Sequence, residues 1–388
     1  MTKKLLLGLS FIFAASGLYA ASNAGVTSMP FLKLDIGARA SAMGGAYTAI
    51  AGDIYGMRYN PAGLGLVQST ELSALARTGV ANTKTQFVGA AMPLPLAALS
   101  GYSVPVIGVN ALFSDNGKMD WFATNADGSA RYSGVSRNAG GDMALSVGMG
   151  ERVMSSDLGG ALTVEHSVGF AGKYLRSTLP NSDGREVSAT AYAADAGYLA
   201  RMPSLGVDVG VALLNMGGQI KYLDAEEDLP AILRAGVAYD NVRFWRSRMV
   251  FTADAVNYMR EKETSIRAGA EYTYDNMASL RLGYRYLPDN SGLSMGAGIN
   301  ALGWFFDVGM ELNAEFENVL QFAVTYRFPV GKTRRERSAR PVILDVKKEQ
   351  PDVASQEEKA ARSKKPLWFA PREQKPDAKM LDDFLLIK

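Results

Sequence analysis

Two groups of residues could carry chemistry. One is the small-residue run "GARASAMGGAYTAIAGDIYGMRYNPAGLGL" (37–66), whose glycines could cradle a phosphate. That use needs a strand directly before the glycines and a helix after them within a βαβ unit, and no such unit is visible here. The other group is charged and recurs late in the chain: Arg234, Arg267, Glu271, Arg281, Arg285, Asp307 and Glu311. Little else is available. There is no Cys, so there is no disulfide and no thiolate metal site. The single His166 cannot furnish a His-rich metal site. It stands in the row Leu162, Val164, His166, Val168, Phe170, which reads as an outward apolar face, with Thr163, Glu165 and Ser167 on the other side. An interfacial histidine suits that place better than a triad base. The expectation is a protein that is not an enzyme, with no cofactor and no metal. A net charge of +2 offers no face for nucleic acid.

The elements that position these residues are strands. In "SLRLGYRY", Leu280, Leu282, Tyr284 and Tyr286 share one face, and Arg281, Gly283 and Arg285 share the other. "TSIRAGAEYTY" and "NVLQFAVTYRF" alternate in the same way, as side chains on a half-apolar strand must. The polar rows place Gly beside charge, and the apolar rows end in Tyr or Phe. Both features suit a transmembrane barrel with a hydrated lumen and aromatic girdles. Arg-x-Gly-x-x-Tyr recurs at Arg234, Arg267 and Arg281, and reads as an inward Arg, a Gly that makes room and an interfacial Tyr.

About fourteen such segments run near 69–79, 84–94, 103–113, 141–150, 160–176, 187–201, 205–214, 231–240, 246–258, 263–274, 277–287, 292–300, 303–312 and 317–328. Long connections follow the third (114–140), fifth (177–186) and seventh (215–230). The turns after even strands are mostly short. With a periplasmic N-terminus, the long loops fall outside, as in bacterial outer-membrane barrels. The fold class expected is all-β: a transmembrane antiparallel barrel of about 14 strands, with an N-terminal plug of short helices and a C-terminal periplasmic tail.

Residues 1–24 have the layout of a cleaved signal peptide: Lys3 and Lys4, an apolar stretch from Leu5 to Ala15, then small residues. A buried N-terminal helix is the alternative. Residues 25–68 lack strand alternation. Asp53 caps a short helix from Ile54 to Tyr59, Pro61 ends it, and Gly63 and Gly65 let the chain turn into the first strand. A barrel of about 14 strands is too wide for its own side chains to fill, so this segment is expected to plug it. The inward charges then either anchor the plug or line a substrate path.

The stretch "GARASAMGGAYTAIAGDIYGMRYNPAGL" resembles the N-terminal region of the PorV/PorQ family, within the wider FadL-like outer-membrane transporters. "GFAGKYLRS" (169–177), "SATAYAADAGYL" (188–199) and "LPAILRAGVAY" (229–239) are further echoes, and the resemblance covers about residues 30 to 328. It implies a 14-stranded barrel with a plug motif on Gly37, Arg39, Met43, Gly44, Gly45, Asp53, Asn60, Pro61, Ala62 and Gly63. FadL-like members pass hydrophobic compounds, often through a lateral opening. PorV-like members serve type IX secretion and bind cargo at the outer surface.

Such barrels usually end at a last-strand aromatic that resembles the signal read by the barrel-assembly machinery. Here 60 residues follow Phe328. Within 331–388 there are 15 Lys+Arg and 10 Asp+Glu, the composition of a solvated periplasmic tail. The alternative to a plain solvated tail is a tether whose segments "PLWFAP" and "MLDDFLLIK" serve as two short partner-docking motifs. Three functions remain open: passage of small hydrophobic compounds across the outer membrane, a secretion accessory that binds exported proteins, or a structural barrel tethering a periplasmic partner. The partners expected are outer-membrane lipid, the assembly machinery, and a hydrophobic small molecule or protein cargo.

Overall fold

The computed structural model describes residues 25–94, 100–125, 127–159, 162–180, 185–222, 225–287, 291–313 and 317–329. The expected signal peptide (1–24) and the tail from residue 330 onward lie outside the described residues.

The wall begins with β1 (Glu71–Thr78), β2 (Lys84–Pro93) and β3 (Val106–Asp115). A separate hairpin follows, β4 (Lys118–Thr124) with β5 (Ala130–Asn138). The wall resumes with β6 (Gly141–Asp157), β7 (Thr163–Pro180), β8 (Glu186–Met202) and β9 (Val207–Gly217). A second small hairpin pairs β10 (Gln219–Tyr222) with β11 (Ala225–Asp228). Seven strands complete the circuit: β12 (Ile232–Phe244), β13 (Ser247–Tyr258), β14 (Glu263–Tyr274), β15 (Ala278–Tyr286), β16 (Gly292–Ala301), β17 (Trp304–Asn313) and β18 (Val319–Arg327). The two hairpins aside, the strands pair antiparallel with their neighbours in chain order, and β18 returns to β1. The result is a closed 14-stranded antiparallel barrel, as the alternation predicts.

Period-two patterning explains why these segments become wall. In β1 every second residue is buried: Glu71, Ser73, Leu75 and Arg77 face inward, while Leu72, Ala74 and Ala76 face out. The outer face is apolar and exposed all round, for example at Val88, Val147, Leu280, Ile299 and Phe322. Soluble monomers rarely expose contiguous apolar patches beyond roughly a few hundred Å². Trp304, Tyr326 and Phe328 cluster at the short-turn end, with Trp304 and Tyr326 ring centroids 4.7 Å apart.

Two expectations about connections are corrected. The connection at 177–186 is not a long loop: β7 and β8 stay in register out to Pro180 opposite Glu186. The polar residues there form a ribbon, with the Thr178 and Ser188 hydroxyls 3.0 Å apart. The other two long connections fold back into the hairpins β4–β5 and β10–β11.

The start of the chain is also displaced from expectation. Residues 27–33 lie at the long-loop end, opposite the end where β1 begins. The Ser28 N–H donates to the Asp228 carbonyl (3.0 Å), and Lys33 pairs with Glu261 in the β13–β14 turn (3.0 Å). At the other end, the Arg327 guanidinium donates to the Gly52 carbonyl (3.2 Å). The N-terminal segment therefore runs the length of the bore before entering the wall.

Candidate functional site

The N-terminal segment is built from short turns because its sequence cannot sustain a long helix or a strand. A 3-10 turn covers Pro30–Lys33, helix α1 covers Ala38–Ala42, and further 3-10 turns cover Ile54–Arg58 and Pro61–Leu66. Asp53 caps the Ile54 turn by accepting the Gly56 N–H (2.9 Å). Pro61 does not simply end structure: it opens the next turn, with Asn60 as its cap accepting the Ala62 N–H (3.1 Å). Pro at the first position of a turn loses no needed donor, which is why two turns follow one another here. Gly63 and Gly65 lie inside that turn, so the expectation that they redirect the chain is wrong. Gly65 serves close approach instead, since a Cβ there would stand 2.8 Å from the Glu151 carbonyl carbon.

One side of the segment is held by charge. Arg39 donates to both oxygens of Glu271 (2.7 and 2.6 Å) and to the Tyr47 hydroxyl (3.1 Å). Glu271 also accepts from Arg281 (2.7 Å), which reaches Asp307 (2.6 Å). Arg267, 1% exposed, pairs with Asp35 (2.6 Å). Arg285 lies 3.5 Å from Asp35 and 3.6 Å from Glu311, and Glu311 accepts the Ser41 hydroxyl (2.8 Å). Arg234 donates to the Gly45 carbonyl (2.6 Å) and to Thr48 (2.9 Å). All seven inward charges singled out from the sequence thus lie on β12–β17 in three ion-pair groups, centred on Glu271, on Asp35 and on Asp254, that grip the segment or support the residues that do.

Electrostatics favour the ionised forms of Asp35 and Arg39. Burial alone would raise the Asp35 carboxyl, but the Arg267 and Arg285 guanidiniums outweigh it and hold it below its ordinary range. Burial works against the Arg39 cation too, and Glu271 more than compensates.

The glycines of the motif serve contact. Gly44 has φ 67°, and a Cβ there would meet the Tyr284 carbonyl at 2.8 Å. Gly45 abuts the Arg267–Asp35 pair, and Gly37 donates its N–H to Gln321 (3.2 Å). Met43 and Ala62 are fully buried. Asn60 donates to the Thr48 and Tyr198 carbonyls (3.0 Å each), and Pro61 packs against Gly169 and Gly197. Gly63 has ordinary room around it.

The other side of the segment is apolar. Phe31, Leu32, Ile36, Ile54, Met57 and Leu64 pack with Leu75, Phe87, Leu112, Ala144, Leu175 and Ala191 of β1–β8 in one buried cluster. This seam is held mainly by dispersion and water exclusion, which are non-directional.

Several partners are not evident from motif reading. Asp254 accepts the N–H groups of Tyr47 and Thr48 (2.9 and 3.0 Å). Lys173, Asp195 and Asn215 form a buried trio with Lys173–Asp195 at 2.7 Å and Lys173–Asn215 at 2.6 Å. The signal for Asp254 was its polar row, Thr252-x-Asp254. Asp35 stood just outside the glycine-rich run and carried none. His166 lies on the outer face, hydrogen-bonded to the Tyr198 hydroxyl (2.6 Å) and the Ser156 hydroxyl (3.1 Å). Among the described residues, no group of three His, Asp or Glu side chains could hold a metal ion.

No family model and no curated protein matches the chain. Solved structures do. A monoaromatic hydrocarbon channel, TodX in a ΔS2 mutant form, aligns with TM-score 0.50 and 12% identity, over 76% of this chain and 99% of that one. The Ralstonia pickettii toluene transporter TbuX aligns with TM-score 0.49 and 14% identity, over 76% and 98%. A Pseudomonas aeruginosa FadL homologue gives 0.46 and 8%, over 80% and 100%. At such identities the likeness to TodX is one of fold.

Proposed function

We propose that this chain is an outer-membrane barrel of the FadL-like type that passes small hydrophobic compounds, with residues 25–68 as its plug. The observation that carries this reading is the asymmetry of the bore. Ion pairs fix the N-terminal segment to β12–β17, while its face toward β1–β8 is mainly apolar and, among the described residues, has no comparable set of ion pairs. A hydrophobic solute can enter that seam by displacing weak contacts while the charged side stays closed. Hydrocarbon channels with the same fold support the reading by analogy. The test is uptake of a monoaromatic such as toluene into proteoliposomes by wild type and by Ala191→Trp, which fills the seam. Equal uptake by the two would rule out this route.

The finer resemblance to PorV/PorQ suggests a second reading, a secretion accessory. One observation favours it: β4–β5 projects at the long-loop end with Phe122 and Tyr132 exposed and paired (5.7 Å). An isolated two-stranded ribbon is marginally stable in water, so a protein partner would stabilise it. Copurification of exported proteins, lost on deleting 117–139, would support that reading over the first.

A further inference from the structure

A cavity lies at the short-turn mouth, apart from the apolar seam. It measures about 310 Å³, and Asn276 in the β14–β15 turn and Asn300 near the end of β16 stand at its rim. Its floor is the Arg39–Glu271–Arg281 system, and Arg248 and Arg327 line its sides.

The hydrogen-bonding capacity of this recess is unbalanced. Each carboxylate already holds a donor: Glu271 takes Arg39 and Arg281, Asp307 takes Arg281 on one oxygen, and Asp53 takes the Gly56 N–H and the Tyr47 hydroxyl. Not every donor is matched. The Arg248 Nε is buried without an acceptor, and its closest carboxylate, Asp240, stands 3.6 Å from another nitrogen. About a quarter of Arg39 and a third of Arg327 stay accessible (24% and 34%). A cavity with spare guanidinium donors, whose carboxylates are already engaged by arginines or backbone, suits an anion with planar, paired oxygens.

We propose that this recess binds a carboxylate ligand arriving from the short-turn side, either a free dicarboxylate or the side chains of an acidic peptide. Its volume is at the lower end of the roughly 300–1,000 Å³ of ligand sites. A bound carboxylate also competes with Glu271 for Arg39 and so loosens the N-terminal segment; this second clause rests on the plug reading, whereas the binding clause does not.

The test uses the full chain in detergent, titrated calorimetrically with triglutamate, succinate and triglycine at low salt. Either carboxylate is expected to bind more tightly than triglycine, and Arg248→Gln to weaken it about tenfold. Asn276→Asp, at an exposed turn, should weaken binding by repulsion and serves if Arg248→Gln does not assemble. Triglutamate binding well ahead of succinate assigns the site to a peptide; comparable binding assigns it to a free dicarboxylate. Carboxylates binding no better than triglycine, or with both variants matching wild type, overturn the site. Proteoliposome leak is read separately. Leak that rises with triglutamate supports the competition, and binding without added leak overturns that clause alone.

Discussion

Asp35 and Arg267 lie 232 residues apart in the chain and 2.6 Å apart in the structure. That contact ties the N-terminal segment to the tenth strand of the barrel wall, and both partners are almost wholly buried. Removing one partner of such a pair strands the other, a cost of about 3–5 kcal/mol. The barrel's own ladder does not depend on this pair, so the cost should fall on seating of the segment. Asp35→Asn is expected to raise solute leak from proteoliposomes while leaving the heat-dependent gel shift of the barrel intact. Leak equal to wild type would show that the segment is held elsewhere.

The same residue sets a pH dependence. Its folded-state pKa lies below the ordinary value, so its stabilisation is fully present above the ordinary carboxylate range and is lost as pH falls through the folded-state value. Wild type should stay sealed near neutrality and begin to leak only below about pH 4. The gap between wild type and Asp35→Asn should therefore close on acidification. A gap that widens would contradict the assignment.

Asn60 holds two carbonyls and caps the Pro61 turn. Asn60→Ala removes the cap, worth about 1 kcal/mol, and leaves the Thr48 carbonyl without this donor. Leak is expected between wild type and Asp35→Asn, and no reaction rate is involved. Pro61→Ala, which loosens packing against Gly169 and Gly197, should act in the same direction.

The outer wall can be tested without transport. Leu280 is 64% exposed on β15, amid other exposed apolar side chains. If that face meets lipid, Leu280→Arg costs about 2–4 kcal/mol near the midplane and should lower the yield of folded barrel in bilayers. If the face met water, the same change would be close to neutral, as surface substitutions usually are.

Legibility differed between wall and bore for a physical reason. A strand writes its two environments into alternate residues, so Arg281-Gly283-Arg285 declared both the strand and its inward row. The N-terminal segment has no such period. Its Gly and Ala residues are set by close approach to Tyr284, Glu151 and Gly169, which lie far away in sequence. Proline was misread for the same reason: Pro61 begins a turn, and only the cap on Asn60 shows this. Asp35 was missed because it lies outside the motif and its meaning depends on Arg267. The seam between the segment and β1–β8 was equally hidden, because inward Ala and Leu residues look like ordinary strand residues until their partners are known.

Arg327 sits where the first and last strands of the wall meet. It pairs with Glu71 across that junction at 2.9 Å, and it holds the Gly52 carbonyl of the N-terminal segment. Glu71 in turn accepts the Ile54 N–H. The side chains that fasten the ends of the wall are thus the same ones that fasten what lies within it. Joining the wall and seating its contents are coupled steps of assembly, and a ring closed around an empty bore would forfeit part of the energy of its own clasp.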